Sequence, residues 1–144
     1  MKVKRKPLST FESKSAKDSI NFAFELSKNF KKGDLILLVG DIGSGKTTFL
    51  NGVLKYLGSN KTVTSSSFVL VSIYQAKKAN LIHCDFYRIN GRYFFDEIVE
   101  YLNEGIVAVE WPYDIKKYLC FKPFLIKISI EGINARKIEV FKYE

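Results

Sequence analysis

The octapeptide Gly40-Asp41-Ile42-Gly43-Ser44-Gly45-Lys46-Thr47 carries the strongest chemical signal in this 144-residue chain. It completes the pattern G-x-x-x-x-G-K-S/T. Its glycines open backbone conformations closed to other residues, so amide N–H groups can close on a triphosphate. Lys46 brings a mobile cation for the β- and γ-phosphates, and the Thr47 hydroxyl can ligate Mg²⁺. The context supports this chemistry. Leu35–Val39 is apolar on both faces, as a buried strand should be, and residues 47–57 repeat apolar positions with helical spacing. The helix would point the positive end of its dipole at the same phosphates. The expected ligand is a nucleoside triphosphate with Mg²⁺, on Asp41, Ile42, Gly43, Ser44, Gly45, Lys46, Thr47 and Thr48.

A metal shared with phosphates needs a further carboxylate, and α/β ligands sit at the carboxyl ends of strands. Ile106-Val107-Ala108-Val109-Glu110 offers an apolar strand ending in an acid, so Glu110 is the expected partner of Thr47 on the metal. In Leu81-Ile82-His83-Cys84-Asp85, alternation puts His83 and Asp85 on one face. Asp85 would orient the attacking water, or else cap a turn or pair with Arg88. His83 reads better as a packed or hydrogen-bonded side chain than as a metal ligand. Thr64-Ser65-Ser66-Ser67-Phe68 offers four hydroxyls, either a nucleotide-sensing switch or a polar loop entering a strand.

Around these groups the pattern predicts alternating helices and strands. Ser15-Ala16-Lys17-Asp18 opens a helix as a capping box, with Gly33 beyond its end. A helix over 47–57 ends at Gly58; strands follow over 68–74 and 81–85, a helix over 93–102 and a strand over 106–109. Residues 124–130 and 136–141 alternate around Glu131-Gly132-Ile133-Asn134, a β-hairpin. The sum is an α/β fold, a P-loop NTPase-like mixed sheet flanked by helices with a C-terminal hairpin. It forms one domain over 1–144, with residues 1–10 a flexible basic terminus.

Composition narrows the class further. Hydrophobic residues make up 47% of the chain, enough for a layered core. The longest aliphatic run, Leu35–Val39, is far short of the ~20 residues of a membrane span. Charged residues stand where the apolar part of a signal peptide would lie. Cys84 and Cys120 encode neither a disulfide framework nor a zinc site. A soluble cytoplasmic protein is expected. The net charge of +8 is concentrated at the ends: +6 over residues 1–32 and +3 over 112–144, against −1 between. Of 23 basic residues 19 are Lys, whereas bidentate phosphate recognition favours Arg, so direct contact with nucleic acid, tRNA or DNA, does not follow from charge.

These residues also resemble a known family. The loop Gly40–Thr47, the segment Thr64–Phe68, His83-x-Asp85-x-Tyr87-Arg88 and Glu110-Trp111-Pro112 stand in the order and spacing of the bacterial TsaE (YjeE) family. Its members are small P-loop ATPases needed for threonylcarbamoyladenosine modification of tRNA next to the anticodon. The resemblance implies that Lys46 and Thr47 bind phosphate and Mg²⁺, that Glu110 completes the metal site and that Asp85 is needed for hydrolysis. It also implies that Trp111 lies by the nucleotide, with Asp18-Ser19 and Arg136 near it. One departure is plain: the family's Ser-Pro-Thr-Phe is Ser65-Ser66-Ser67-Phe68 here, a more flexible loop in which Ser67 keeps only the hydroxyl. The implied partners are TsaD and TsaB, in a complex that this ATPase energises or resets.

Two other readings share the loop. A small-molecule kinase needs the same cradle, but after it only Arg88, Arg92 and Arg136 are available for a lid. A nucleotide-controlled binding module would use ATP to order Ser65–Ser67 with little turnover. A GTPase is disfavoured, since the chain has neither an NKxD nor a DxxG motif.

Overall fold

Leu35–Val39 and Gly105–Glu110 are buried along nearly their whole length, so both must lie inside a sheet covered on each face. The computed structural model describes residues 6–64, 70–87 and 95–144. The expected switch Ser65–Phe68, with Ser67, lies outside the described residues, as do Arg88 and Arg92.

Among those described, the chain runs β1 (Ser9–Ser13), α1 (Ala16–Leu26, closed by a 3-10 turn over Ser27–Asn29), β2 (Leu35–Val39), α2 (Lys46–Leu57) and β3 (Val71–Tyr74). It continues through β4 (Asn80–Asp85), α3 (Phe95–Tyr101), β5 (Gly105–Glu110), a 3-10 segment (Ile115–Phe121), β6 (Phe124–Ile130) and β7 (Arg136–Lys142). The strands form one sheet in the order β1-β7-β6-β2-β5-β4-β3. Strands β6, β2, β5 and β4 are parallel, and the antiparallel strands lie outside them. The mixed α/β sheet with its terminal hairpin is therefore as the sequence predicts.

Strand parity divides the core. Ile36, Leu38, Ile106 and Ala108 pack with Phe49, Leu50, Val53 and Leu54 of α2 and Ala23 of α1. Leu35, Leu37, Val107 and Val109 pack on the opposite face with Ile98 of α3 and Tyr118. Each fully buried Leu, Ile or Val contributes about 1.5–3 kcal/mol by leaving water. The parity also decides the chemistry. Glu110 follows Ile106 and Ala108 in alternation, so its carboxylate emerges on the face covered by α2, which begins with Lys46.

Helix α1 starts as predicted: Ser15 Oγ accepts from Asp18 N–H at 3.0 Å. The Asp18 carboxylate reaches back to the N–H of Lys14, also at 3.0 Å, one residue before the cap. The helix then crosses α2 at Gly52, where a Cβ would lie 2.4 Å from the Ile20 carbonyl oxygen and 2.6 Å from Ala23 Cβ. This close approach sets the beginning of α1 beside the loop before α2.

Two elements escape the sequence reading. Strand β1 falls partly in the stretch expected to be a flexible terminus. Its pattern is short and mostly polar, and it becomes a strand by pairing with β7, Ser9 opposite Val140 through Ser13 opposite Arg136. Phe11 fixes it further by stacking on Phe22 of α1 at 4.7 Å. The 3-10 segment Ile115–Phe121 carries no cap signal, and Asp114 before it makes no side-chain cap.

Candidate functional site

Strands β2, β4, β5 and β6 run parallel, so the residues that follow them gather along one edge of the sheet. The loop after β2 leaves through Gly40, where a Cβ would lie 2.6 Å from both the Ile128 carbonyl oxygen and Ser44 Oγ; only glycine fits. Gly43 and Gly45 then adopt φ of 82° and 104°. Gly45 caps α2 without any side-chain hydrogen bond, so the first amides of this helix have no acceptor within it.

Lys46 is nearly buried. Its Nζ donates to the carbonyl oxygens of Gly40 at 2.6 Å and Asp41 at 3.2 Å, and stands 4.5 Å from the centre of the Trp111 ring. Burial lowers the Lys46 pKa from the ordinary lysine value, opposed by the nearby charges of Glu110, Asp85 and Asp41.

Glu110 and Asp85 are register partners on adjacent parallel strands. Glu110 is only 4% exposed, and His83 Nε2–H donates to its Oε2 at 2.6 Å. His83 is thus the hydrogen-bonded histidine the sequence favours. Asp85 is half-buried; its Oδ1 accepts from Tyr87 N–H at 3.1 Å, closing a tight turn. Ile42, Gly43, Gly45, Lys46, Thr47, Thr48, Asp85, Glu110 and Trp111 together line a cleft of about 350 Å³.

Of the other expected residues that are described, Asp41, Ser19 and Arg136 line neighbouring spaces. Ser44 is buried beneath the loop, and Asp41 borders a neighbouring apolar cleft of about 490 Å³ beyond Trp111. Ser19 and Arg136 line a smaller cavity of about 160 Å³, which shares Gly43, Gly45 and Thr48 with the polar cleft. The Ser19 hydroxyl is tied to Ser13 Oγ at 2.7 Å. The Asp18 carboxylate is held by the Lys14 amide and lines neither space.

The family described as "Threonylcarbamoyl adenosine biosynthesis protein TsaE" matches residues 13–138. The chain belongs to the TsaE family. It is 36% identical over 126 residues to the tRNA threonylcarbamoyladenosine biosynthesis protein TsaE of Rickettsia prowazekii (strain Madrid E), covering 85% of this chain and 86% of that protein. It is 35% identical over 135 residues to the TsaE protein of Aquifex aeolicus (strain VF5), covering 89% and 92%. Among solved structures, the crystal structure of Bacillus subtilis YdiB matches with a TM-score of 0.79 at 28% identity, covering 94% of this chain and 86% of that one. The fold and the family thus agree with the resemblance drawn from the motifs.

The TsaE-family site suits a phosphate chain with a divalent cation. Among the described residues Ser44 Oγ is a buried hydroxyl with no partner, and the space where a Gly43 side chain would project is open. Thr47, Asp85 and Glu110 supply hard oxygen donors, the chemistry that Mg²⁺ prefers. Among the described residues no three His, Cys, Asp or Glu side chains gather into a metal group. A cation here would share its ligands with phosphate and water.

Tyr113 and Ser13 take part in this TsaE-family site although no motif in the sequence points to them. Tyr113 hydroxyl donates to the Tyr87 carbonyl oxygen, and Tyr87 packs against Trp111 with ring centres 4.9 Å apart. Trp111 and Tyr113 both have positive φ, 58° and 51°, in a turn that folds the Trp ring over Lys46. No local pattern marks that turn apart from Pro112. The Ser13–Ser19 pair joins β1 to α1, and the alternation of β1 was its one signal.

Proposed function

We propose that this chain is a Mg²⁺-dependent ATPase of tRNA threonylcarbamoyladenosine biosynthesis, slow alone and stimulated by TsaD and TsaB. The observation that carries the reading is one polar cleft in which Lys46 and Thr47, at the start of a helix, face Asp85 and Glu110. Membership of the TsaE family supports the pathway.

In this reading the amides of Gly43, Gly45, Lys46 and Thr47 cradle the β-phosphate, and Lys46 leaves the Gly40 and Asp41 carbonyls to bridge the β- and γ-phosphates. Thr48 lines both the polar cleft and the smaller cavity, so the α-phosphate lies beside it and the nucleoside extends toward Ser19 and Arg136. Ile42 borders the polar cleft, Asp41 the neighbouring apolar one, and Trp111 stands between them over Lys46. Mg²⁺, held by Thr47 and Glu110 with phosphate oxygens, would neutralise charge developing on the phosphates. His83 donates to one Glu110 oxygen, which fixes the carboxylate. Asp85, less buried and at the end of β4, orients the attacking water and accepts its proton. Ser67 would sense the γ-phosphate from the segment after α2. The chain would then energise or reset the TsaD–TsaB complex in the cytoplasm, without transferring the carbamoyl group itself.

The test is a phosphate-release assay with Mg²⁺ and ATP, across a titration of TsaD and TsaB. Free phosphate rising with the partners is expected. A labelled small molecule would identify a kinase, and tight ATP binding with no release at any partner concentration would identify a binding module.

A further inference from the structure

We infer that Arg136 is a positioning residue that presets the phosphate loop, rather than a phosphate ligand. The inference rests on reading Gly40–Thr47 as a phosphate cradle. The guanidinium of Arg136 joins two segments far apart in sequence. Its Nε donates to the Ser44 carbonyl oxygen at 3.0 Å and its Nη2 to that of Gly43 at 3.1 Å. Its Nη1 donates to the carbonyl oxygens of Gly132 and Ala135, both at 2.9 Å, with that of Ile133 at 3.4 Å. A guanidinium has five N–H groups, so main-chain carbonyls occupy nearly all of its donors.

The consequence follows from peptide geometry. The described chain has no cis peptide, and across a trans peptide the C=O and N–H point in opposite directions. Drawing the Ser44 carbonyl toward Arg136 therefore turns the Gly45 N–H away from it, toward the cleft that Gly45 lines with Lys46 and Thr47. The Ser44 N–H is already committed to the Asp41 carbonyl oxygen at 3.0 Å. Gly45 is thus the amide whose direction Arg136 sets. Glycine on both sides of Ser44 makes this stretch costly to order, and an external restraint offsets that cost before ligand arrives. The turn between β6 and β7 lies at the same sheet edge because β6 runs parallel to β2, which brings the first residue of β7 within reach. Lysine could supply charge here but not a planar fork spanning two consecutive carbonyls and a turn.

The test compares Arg136→Lys and Arg136→Ala. In the nucleotide-free protein, backbone order parameters of Gly43, Ser44 and Gly45 should fall in both variants from about 0.85 toward roughly 0.6. ATP affinity by calorimetry should fall about tenfold in both, with Lys no better than Ala. Unchanged order parameters without nucleotide would overturn the inference, and so would near-normal affinity in Arg136→Lys, the behaviour of a phosphate-touching cation. Should the unmodified chain bind no ATP, the cradle reading fails while the nucleotide-free measurement still decides whether Arg136 orders the loop.

Discussion

The ends of β4 and β5 present the same arrangement twice with different results. Asp85 and Glu110 are opposite each other in register, on the same face, and line the same cleft. Glu110 ends a strand enclosed between β2 and β4, and it is buried against His83. Asp85 ends the strand nearer the sheet edge, flanked outside by the four-residue β3, and among the described residues its carboxylate is held by the turn at Tyr87. Burial with a fixed hydrogen bond suits a carboxylate that must stay in one place to hold a cation. Partial exposure suits one that must meet water. Position in the sheet order, not residue type, separates the two acids.

The largest expected effect comes from removing the cation both acids face. Lys46→Ala should weaken ATP binding about a hundredfold or more, the loss of two charge-assisted hydrogen bonds to phosphate; calorimetry giving unchanged affinity would refute the loop assignment. Asp85→Asn should lower turnover about a hundredfold while leaving ATP affinity nearly unchanged. Loss of binding in that variant would mean the two acids share one role.

Glu110→Ala should weaken the Mg²⁺ dependence of hydrolysis. It should also cost about 1–3 kcal/mol of stability, because the His83 N–H is left buried without an acceptor. In thermal unfolding this is a fall of roughly 3–10 °C, against about 2 °C or less for Asp85→Ala. Equal melting temperatures for these two variants would erase the contrast in burial. The smallest effect is optical. Trp111 is the single tryptophan and lies over Lys46, so its fluorescence should respond to ATP in the unmodified chain and in Asp85→Asn, but not in Lys46→Ala.

Much of this site was legible because its signals are local. The loop Gly40–Thr47 needs its residue types in fixed order, and the flanking strand and helix announce themselves by apolar spacing over a few residues. Glu110 and Asp85, which line one cleft, are each marked in the sequence as the end of an apolar strand. The capping of α1 by Ser15 and the hairpin of β6 and β7 were legible for the same reason. What remained hidden depends on partners distant in sequence. Strand β1 exists through β7, Gly52 is explained by the approach of α1, and the turn holding Trp111 over Lys46 is fixed by Tyr87 and Tyr113.

The sequence by itself determined the phosphate loop, its strand and helix, and the two candidate acids, because short-range spacing and backbone preference suffice to specify them. Only the tertiary structure decided that His83 holds Glu110, that Asp85 stays partly open, and that Arg136 grips the loop's carbonyls instead of pointing freely into the cavity. Those outcomes depend on strand order and register, and both are set by packing the whole sheet between its two helical layers.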